Sequence, residues 1–270
     1  MIIEQMVNII ESHPPLARLK RRIAALAPTA ASGRGGRVSF GLEALDARLD
    51  GGLARGAVHE ILPESAADAV NATAFALMMA VRAADTTMAE GRILWITTEA
   101  RLRRDGVPYG PGLAELGIPP DQVLIVTAPD ERAALKASGD ALACRGLAAA
   151  LIDMGEARQL DLTASRRLAL ASAQSGVTAF VLRAGGSVIA SAAASRWQVA
   201  AAPSVPLPGQ APGRATLALS LLRHRGGVPP FTTLVEWTHD DRAFREPPSS
   251  HEPALLRRVS APVERRQMVA

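Results

Sequence analysis

The chain has 270 residues, a formal net charge of +4, and 48% hydrophobic against 21% charged residues, which is enough apolar material for one sizeable α/β domain with tails or for two small domains. A single cysteine, Cys144, excludes a disulfide framework and any multi-cysteine metal site. The longest apolar run, Ala72–Val81, is too short to cross a bilayer, and the opening residues lack a basic start, an apolar run and a small-residue cleavage site, so a cytoplasmic protein with no membrane contact is expected.

Aromatic residues make up only 3% of the chain, so alanine, leucine and valine are expected to build the core. Two of the basic residues are lysines, Lys20 and Lys136, and the rest are arginines. An isoelectric point near 10.1 permits contact with nucleic acid or acidic protein without demanding it. Cys144, in the apolar stretch ALACRGLAAALI, reads as a buried, inert thiol.

In chain order, residues 1–27 form an N-terminal helical segment in two pieces broken at Pro14-Pro15. Leu16, Leu19, Ile23 and Leu26 recur at helical spacing in the second piece, with Arg18 and Arg22 on other faces. So short an amphipathic helix needs something to pack on, which makes these six residues the candidate partner surface. Residues 28–37 are rich in Gly, Ala and Ser and read as a linker.

Residues 38–240 then alternate between strand and helix. Strands are expected at Val58–Leu62, Ile93–Thr97, Val123–Val126, Ala148–Ile152 and Thr178–Leu182, and helices at Ala66–Ala84, Ala133–Cys144 and Thr163–Ala173. That order predicts an α/β fold, a mostly parallel sheet flanked by helices. After a Pro-rich loop at 201–213, Leu217–Leu222 and Phe231–Trp237 alternate around a Gly-Gly turn and predict a late antiparallel hairpin. Residues 241–270, with four prolines and many charges, are expected to be a poorly ordered tail.

Six collinear segments resemble the RecA family. FGLEALDARLDGGLARGAVHEI (40–61) is similar to the segment that opens that core. LPESAADA (62–69) stands where its phosphate loop belongs, and ILWITTEA (93–100) ends, like the strand bearing the family's catalytic glutamate, in Glu99. AALIDM (149–154) is similar to its second nucleotide motif, closed by Asp153. AGGSVIASAAASRWQV (184–199) and LSLLRHRGGVPPFTTLVEW (219–237) resemble the segment after the second DNA loop and the late hairpin. The resemblance implies a RecA-like core over roughly 38–238.

A narrower resemblance, carried by DLTASRRLALASAQSGVTAFVLR (161–183) and LLRHRGGVPP (221–230), is to the ImuA family, with the SulA division inhibitors as distant cousins. It implies an accessory role in SOS-linked translesion synthesis, beside an ImuB-like Y-family protein, RecA and an error-prone replicative-type polymerase.

A phosphate loop follows G-x-x-x-x-G-K-[ST], in which glycines let backbone N–H groups face the phosphates, lysine supplies charge and the hydroxyl holds Mg²⁺. Here Leu62 and Ala67 replace the glycines, Asp68 the lysine and Ala69 the hydroxyl, around Pro63, Glu64 and Ser65, and no lysine occurs between Lys20 and Lys136. A carboxylate about 4 Å from a phosphate charge costs roughly 4 kcal/mol at an effective dielectric near 20. The helix N-terminus returns about 1 kcal/mol or less. Repulsion wins, so neither tight Mg-ATP binding nor turnover is expected, and no cofactor or metal.

Asp68 reads better as a helix cap, while Glu99 and Asp153 are remnant acids, Asp153 equally an ordinary strand-end carboxylate. The alternatives are an ATPase whose missing cation comes from a neighbouring subunit, and a SulA-like division inhibitor.

No aromatic residue lies between Tyr109 and Phe180, and the run from Arg183 to Gly185-Gly186 leaves no room for the family's long DNA loop. DNA contact is therefore expected to be weak or absent, with Arg166, Arg167 and Arg223–Arg225 as the remaining candidates. His59 reads as a satisfied core residue rather than a ligand, His224 as a turn residue, and Tyr109 as a cover for the core more than a partner anchor.

Overall fold

The computed structural model describes residues 36–85, 91–155, 159–183, 190–211 and 213–248. The N-terminal segment with Leu16, Arg18, Leu19, Arg22, Ile23 and Leu26, nearly all of the expected linker, and the tail beyond 248 lie outside them.

A nine-stranded sheet organises the chain. In chain order its strands are β3 (Val58–Pro63), β4 (Arg92–Thr98), β5 (Val123–Ala128), β6 (Leu147–Asp153), β7 (Thr178–Leu182), β8 (Ser195–Ala202), β9 (Thr216–His224), β10 (Phe231–Thr238) and β11 (Ala243–Arg245). They lie side by side as β11-β10-β9-β8-β3-β7-β6-β4-β5. From β8 through β5 every pairing is parallel, and from β8 through β11 every pairing is antiparallel. β7, TAFVL, is buried throughout, as expected of a parallel strand covered on both faces. A small ribbon of β1 (Arg37–Val38) and β2 (Leu53–Ala54) precedes the sheet. It turns at Gly52, whose φ of +112° and 2.3 Å approach of a built Cβ to the Val38 carbonyl oxygen admit only glycine.

Helices cover the two faces: α1 (Glu43–Arg48), α2 (Ala69–Asp85), α3 (Glu99–Asp105), α4 (Gly110–Glu115), α5 (Glu131–Ala143) and α6 (Leu162–Ser175). On one face α2 packs Phe75 and Met79 against Trp197, Phe40 and Phe244. The Phe40 ring lies 5.7 Å from Trp197 and 5.8 Å from Phe244. The phenylalanines and tryptophans are thus pooled in the core cluster on this face of the sheet. On the other face α5 and α6 bring Ala134, Ala141, Leu142 and Leu168 onto Ala150, Ile152 and Val181, the alanine-rich packing that composition predicts.

Three expectations are corrected. The ordered core runs past residue 240. β11 pairs with β10, Phe244 is buried, and Arg245 reaches the buried Glu236 at 2.9 Å, so apolar burial and an ion pair hold what a count of prolines and charges reads as tail. Cys144 is exposed, because it caps α5 at the end of the helix, outside the apolar stripe. Tyr109 is 74% exposed on the turn into α4 and covers no core. β8 is a strand that the sequence reading does not anticipate, because its small residues hide its period.

Candidate functional site

In an open parallel sheet, chemistry gathers at the carboxyl ends of the strands. The pairing sets Asp153 level with Leu182, Leu182 level with Ile61, and Thr97 level with Asp153. The ends of β3, β6 and β4 therefore form a common edge, carrying the 62–69 segment, Asp153 and Glu99.

At that edge the 62–69 segment is closed on itself. β3 runs to Pro63, so Leu62 and Pro63 are strand residues and not part of a free loop. The Glu64 N–H donates to the Val199 carbonyl at 2.9 Å. Ala66–Asp68 form one 3₁₀ turn, which leads directly into α2 at Ala69. The Asp68 N–H donates to the Ser65 carbonyl and the Ala69 N–H to that of Ala66.

The Asp68 carboxylate accepts four hydrogen bonds. Ser65 Oγ donates to it at 2.6 Å and the Ser65 N–H at 3.2 Å, Asn71 Nδ2 at 3.4 Å, and the Ala201 N–H, from the far end of β8, at 2.8 Å. Partial desolvation pushes Asp68 up, but these hydrogen bonds outweigh it and its pKa lies below the ordinary aspartate value. A fixed negative charge therefore sits at the start of α2, where the helix dipole favours it. Ala67 and Val70 are exposed beside it.

Asp153 and Glu99 each have partners of their own. Asp153 is buried and bridged by Arg101 of α3 at 3.0 Å, and Arg101 also holds Asp105 at 2.8 Å. Burial pushes Asp153 up, and its Arg101 partner pulls part of the way back. Glu99, the first residue of α3, is half exposed and pairs with Arg103 one turn along its own helix, at 3.1 Å. The edge thus brings Asp153 and Asp68 to one side of the sheet, but each carboxylate already has partners within the chain. Arg101 escaped sequence reasoning, although its place two residues after Glu99 on a strand-to-helix turn is legible once the strand end is fixed.

A second charged group was also missed. Glu60 of β3, 1% exposed, accepts from Arg183 at 3.1 Å and from Arg196 at 2.6 Å, both nearly buried. Ion pairing across β7, β3 and β8 explains how a glutamate fits inside an apolar strand. Arg223 donates to the carbonyls of Ser191 and Ala193, and Arg225 to that of Ala192. Arg223 is thus half-buried and braces the chain ahead of β8, whereas Arg225, Arg166 and Arg167 are exposed.

Among the described residues no group of three or more His, Cys, Asp or Glu side chains could hold a metal ion, and no helix is long and apolar enough to cross a membrane.

No protein-family model matches the chain. Two curated relatives do, the protein ImuA of Caulobacter vibrioides strain NA1000 / CB15N and that of strain ATCC 19089 / CIP 103742 / CB 15. Each is 36% identical over 206 residues, covering 71% of this chain and 80% of the relative. The chain belongs to the ImuA family. Its fold is that of the RecA-like proteins: the crystal structure of the RadB recombinase superimposes on this ImuA-family chain with a TM-score of 0.52 at 17% identity, over 77% of the chain and 99% of RadB.

Proposed function

We propose that this ImuA-family chain is a non-catalytic RecA-like accessory protein of damage-induced mutagenesis. In this reading it works as a scaffold for an ImuB-type Y-family protein and for RecA-type partners in SOS-linked translesion synthesis, and it neither hydrolyses ATP nor grips DNA tightly on its own. One observation carries the reading: in the segment where a nucleotide phosphate would sit, the chain supplies its own anion. Asp68 takes the donors of Ser65, Asn71 and Ala201 that an incoming phosphate would need, and it does so where the sequence has no lysine to offer. A triphosphate arriving there meets a carboxylate in place of a cation.

Membership of the ImuA family supports an ImuB-type partner, and the N-terminal residues Leu16, Leu19, Ile23 and Leu26 are the proposed contact. The test is equilibrium binding of a fluorescent ATP analogue to the full chain, with and without magnesium and with and without a purified ImuB-type partner. No saturation in the micromolar range is expected in any combination. Magnesium-dependent micromolar binding would establish a nucleotide site and overturn the reading. In parallel, Leu19→Asp with Ile23→Asp is expected to abolish co-purification with the ImuB-type protein while the circular dichroism of the core is unchanged.

A further inference from the structure

On the face of the sheet opposite α2, helices α5 and α6 leave a groove between them of about 320 Å³. Its floor is aliphatic: Leu135 and Gly139 of α5, and Ala164 and Leu168 of α6. Its rim carries three exposed cations, Arg132 and Lys136 of α5 and Arg167 of α6. The carboxylates nearest in sequence on α5 are Glu131 and Asp140, yet among the described residues none of the three rim cations has an ion-pair partner.

Two features of the groove run against the needs of the isolated fold. Arg132 and Lys136 are one helical turn apart, so their like charges repel, and Arg132 stands in the first turn of α5, where the helix dipole disfavours a cation. Gly139 sits in the interior of α5, where glycine is among the poorest helix formers, yet a Cβ built there meets nothing within 4 Å. The chain therefore needs neither the charge cluster nor the missing side chain for its own packing. An occupant that brings carboxylates to the rim and an apolar anchor to the space over Gly139 uses both.

We propose that the α5–α6 groove is a docking site for an acidic, amphipathic helix of a partner protein. Its apolar face lies over Leu135, Gly139 and Leu168, and its carboxylates meet Arg132, Lys136 and Arg167. A helix in a groove is a recurrent mode of peptide recognition, with apolar anchors at i, i+3, i+4 and i+7. The floor favours a peptide over nucleic acid: it offers no aromatic ring on which a base could stack, and a sugar-phosphate backbone would leave the aliphatic strip uncovered. The proposal deepens the scaffold reading by adding a second partner surface to the one proposed at Leu16, Leu19, Ile23 and Leu26. Whether the chain binds nucleotide does not bear on it, so the two can fail separately.

The test uses the full chain and a fluorescein-labelled helical peptide with leucines at i, i+3, i+4 and i+7 and glutamates elsewhere, followed by fluorescence anisotropy. Saturable binding that weakens with added salt is expected. The combined variant Arg132→Glu, Lys136→Glu, Arg167→Glu should weaken it about tenfold or more. The combined variant Arg92→Glu, Arg145→Glu, Arg214→Glu, an equal number of reversals at other exposed arginines, should change it by less than about twofold. Gly139→Leu fills the groove, leaves the charge alone and favours the helix, so a loss of about tenfold with undiminished thermal stability is the sharpest support.

Equal losses from the two reversal sets would reduce the effect to the basic charge of the whole protein and overturn the proposal, as would wild-type binding by Gly139→Leu. An oligo-dT strand whose binding is lost only with the groove reversals would give the site to nucleic acid. Self-association in sedimentation that disappears with those reversals would give it to a second copy. Either result also overturns the proposal.

Discussion

Replacing His59 by glutamine isolates one proton-linked contribution to the stability of this fold. His59 lies in β3 and is 1% exposed. Its Nε2 sits 2.9 Å from the Ala54 carbonyl, which only accepts, so Nε2 carries the proton and donates. Its Nδ1, 2.7 Å from Ser195 Oγ, then accepts from the serine hydroxyl, and that hydroxyl in turn accepts from the Trp197 indole N–H at 2.9 Å. Every member of the chain Trp197–Ser195–His59–Ala54 is satisfied only while the imidazole is neutral. Desolvation, followed by the fields of His224 and Arg37, drives its pKa down to about 4 from 6.5, although the Ala54 carbonyl pulls the other way.

The folded state therefore resists a proton that the unfolded chain accepts. The contribution is complete above pH 6.5, is lost as the pH falls towards 4, and changes no further below that. The gap corresponds to about 3 kcal/mol, of which about 2 kcal/mol is gone by pH 5. Urea denaturation of wild type and His59→Gln at intervals from pH 7.5 to 4.5 measures it. The variant should be less stable at pH 7.5 by about 1–3 kcal/mol, and the two curves should converge as the pH falls. Parallel curves across that range would show that His59 does not titrate between the folded and unfolded states, and would refute the argument.

Three further perturbations address the charged groups and the thiol. Asp68→Lys places a cation at the start of α2, but it removes the carboxylate that closes the Ser65–Asp68 capping box and leaves Leu62 and Ala67 where a phosphate loop has glycines. It should destabilise the chain by about 1–2 kcal/mol in urea titrations without producing micromolar binding of the fluorescent ATP analogue. Glu60→Gln leaves Arg183 and Arg196 buried without their counter-charge and should cost about 3–5 kcal/mol by the same measurement. Cys144, exposed at the end of α5, should react fully with a thiol reagent under native conditions, and Cys144→Ser should alter stability by less than about 0.5 kcal/mol.

The parts of the fold that were legible in the sequence are those where local pattern and tertiary role agree. β7 is an unbroken apolar run because both of its faces are covered, and it appears at the expected residues, Thr178–Leu182. α2 announces itself through alanine and methionine over more than four turns. What the pattern hid depends on distant partners. β8 reads as small and polar, and its pairing with β3 and β9 makes it a strand. β11 is three residues long and exists because Phe244 finds the aromatic cluster under α2. Within the candidate site, a carboxylate at the start of α2, Asp68, was legible in the sequence. The donor from Ala201, 133 positions away, was not, and neither was the arginine that occupies Asp153.

That long-range donor bears on how the β3–α2 junction is held. A phosphate loop collects backbone N–H groups that point at one spot, and without a bound anion those donors are served only by water. In this chain the Asp68 carboxylate accepts from Ser65, ties the β3–α2 junction to the end of β8 through Ala201, and sits at the start of α2, where the helix dipole favours it. The β3–α2 junction is thereby held to the end of β8 by a side chain of the chain itself. An aspartate at this position is more than the absence of a lysine: Asp68→Ala should loosen the β3–α2 junction and the adjoining end of β8 together, which amide hydrogen exchange at Ser65 and Ala201 would register as a coordinated loss of protection. If Ser65 lost protection while Ala201 kept it, the carboxylate would act only within the Ser65–Asp68 turn, and the argument for a long-range anchor would fail.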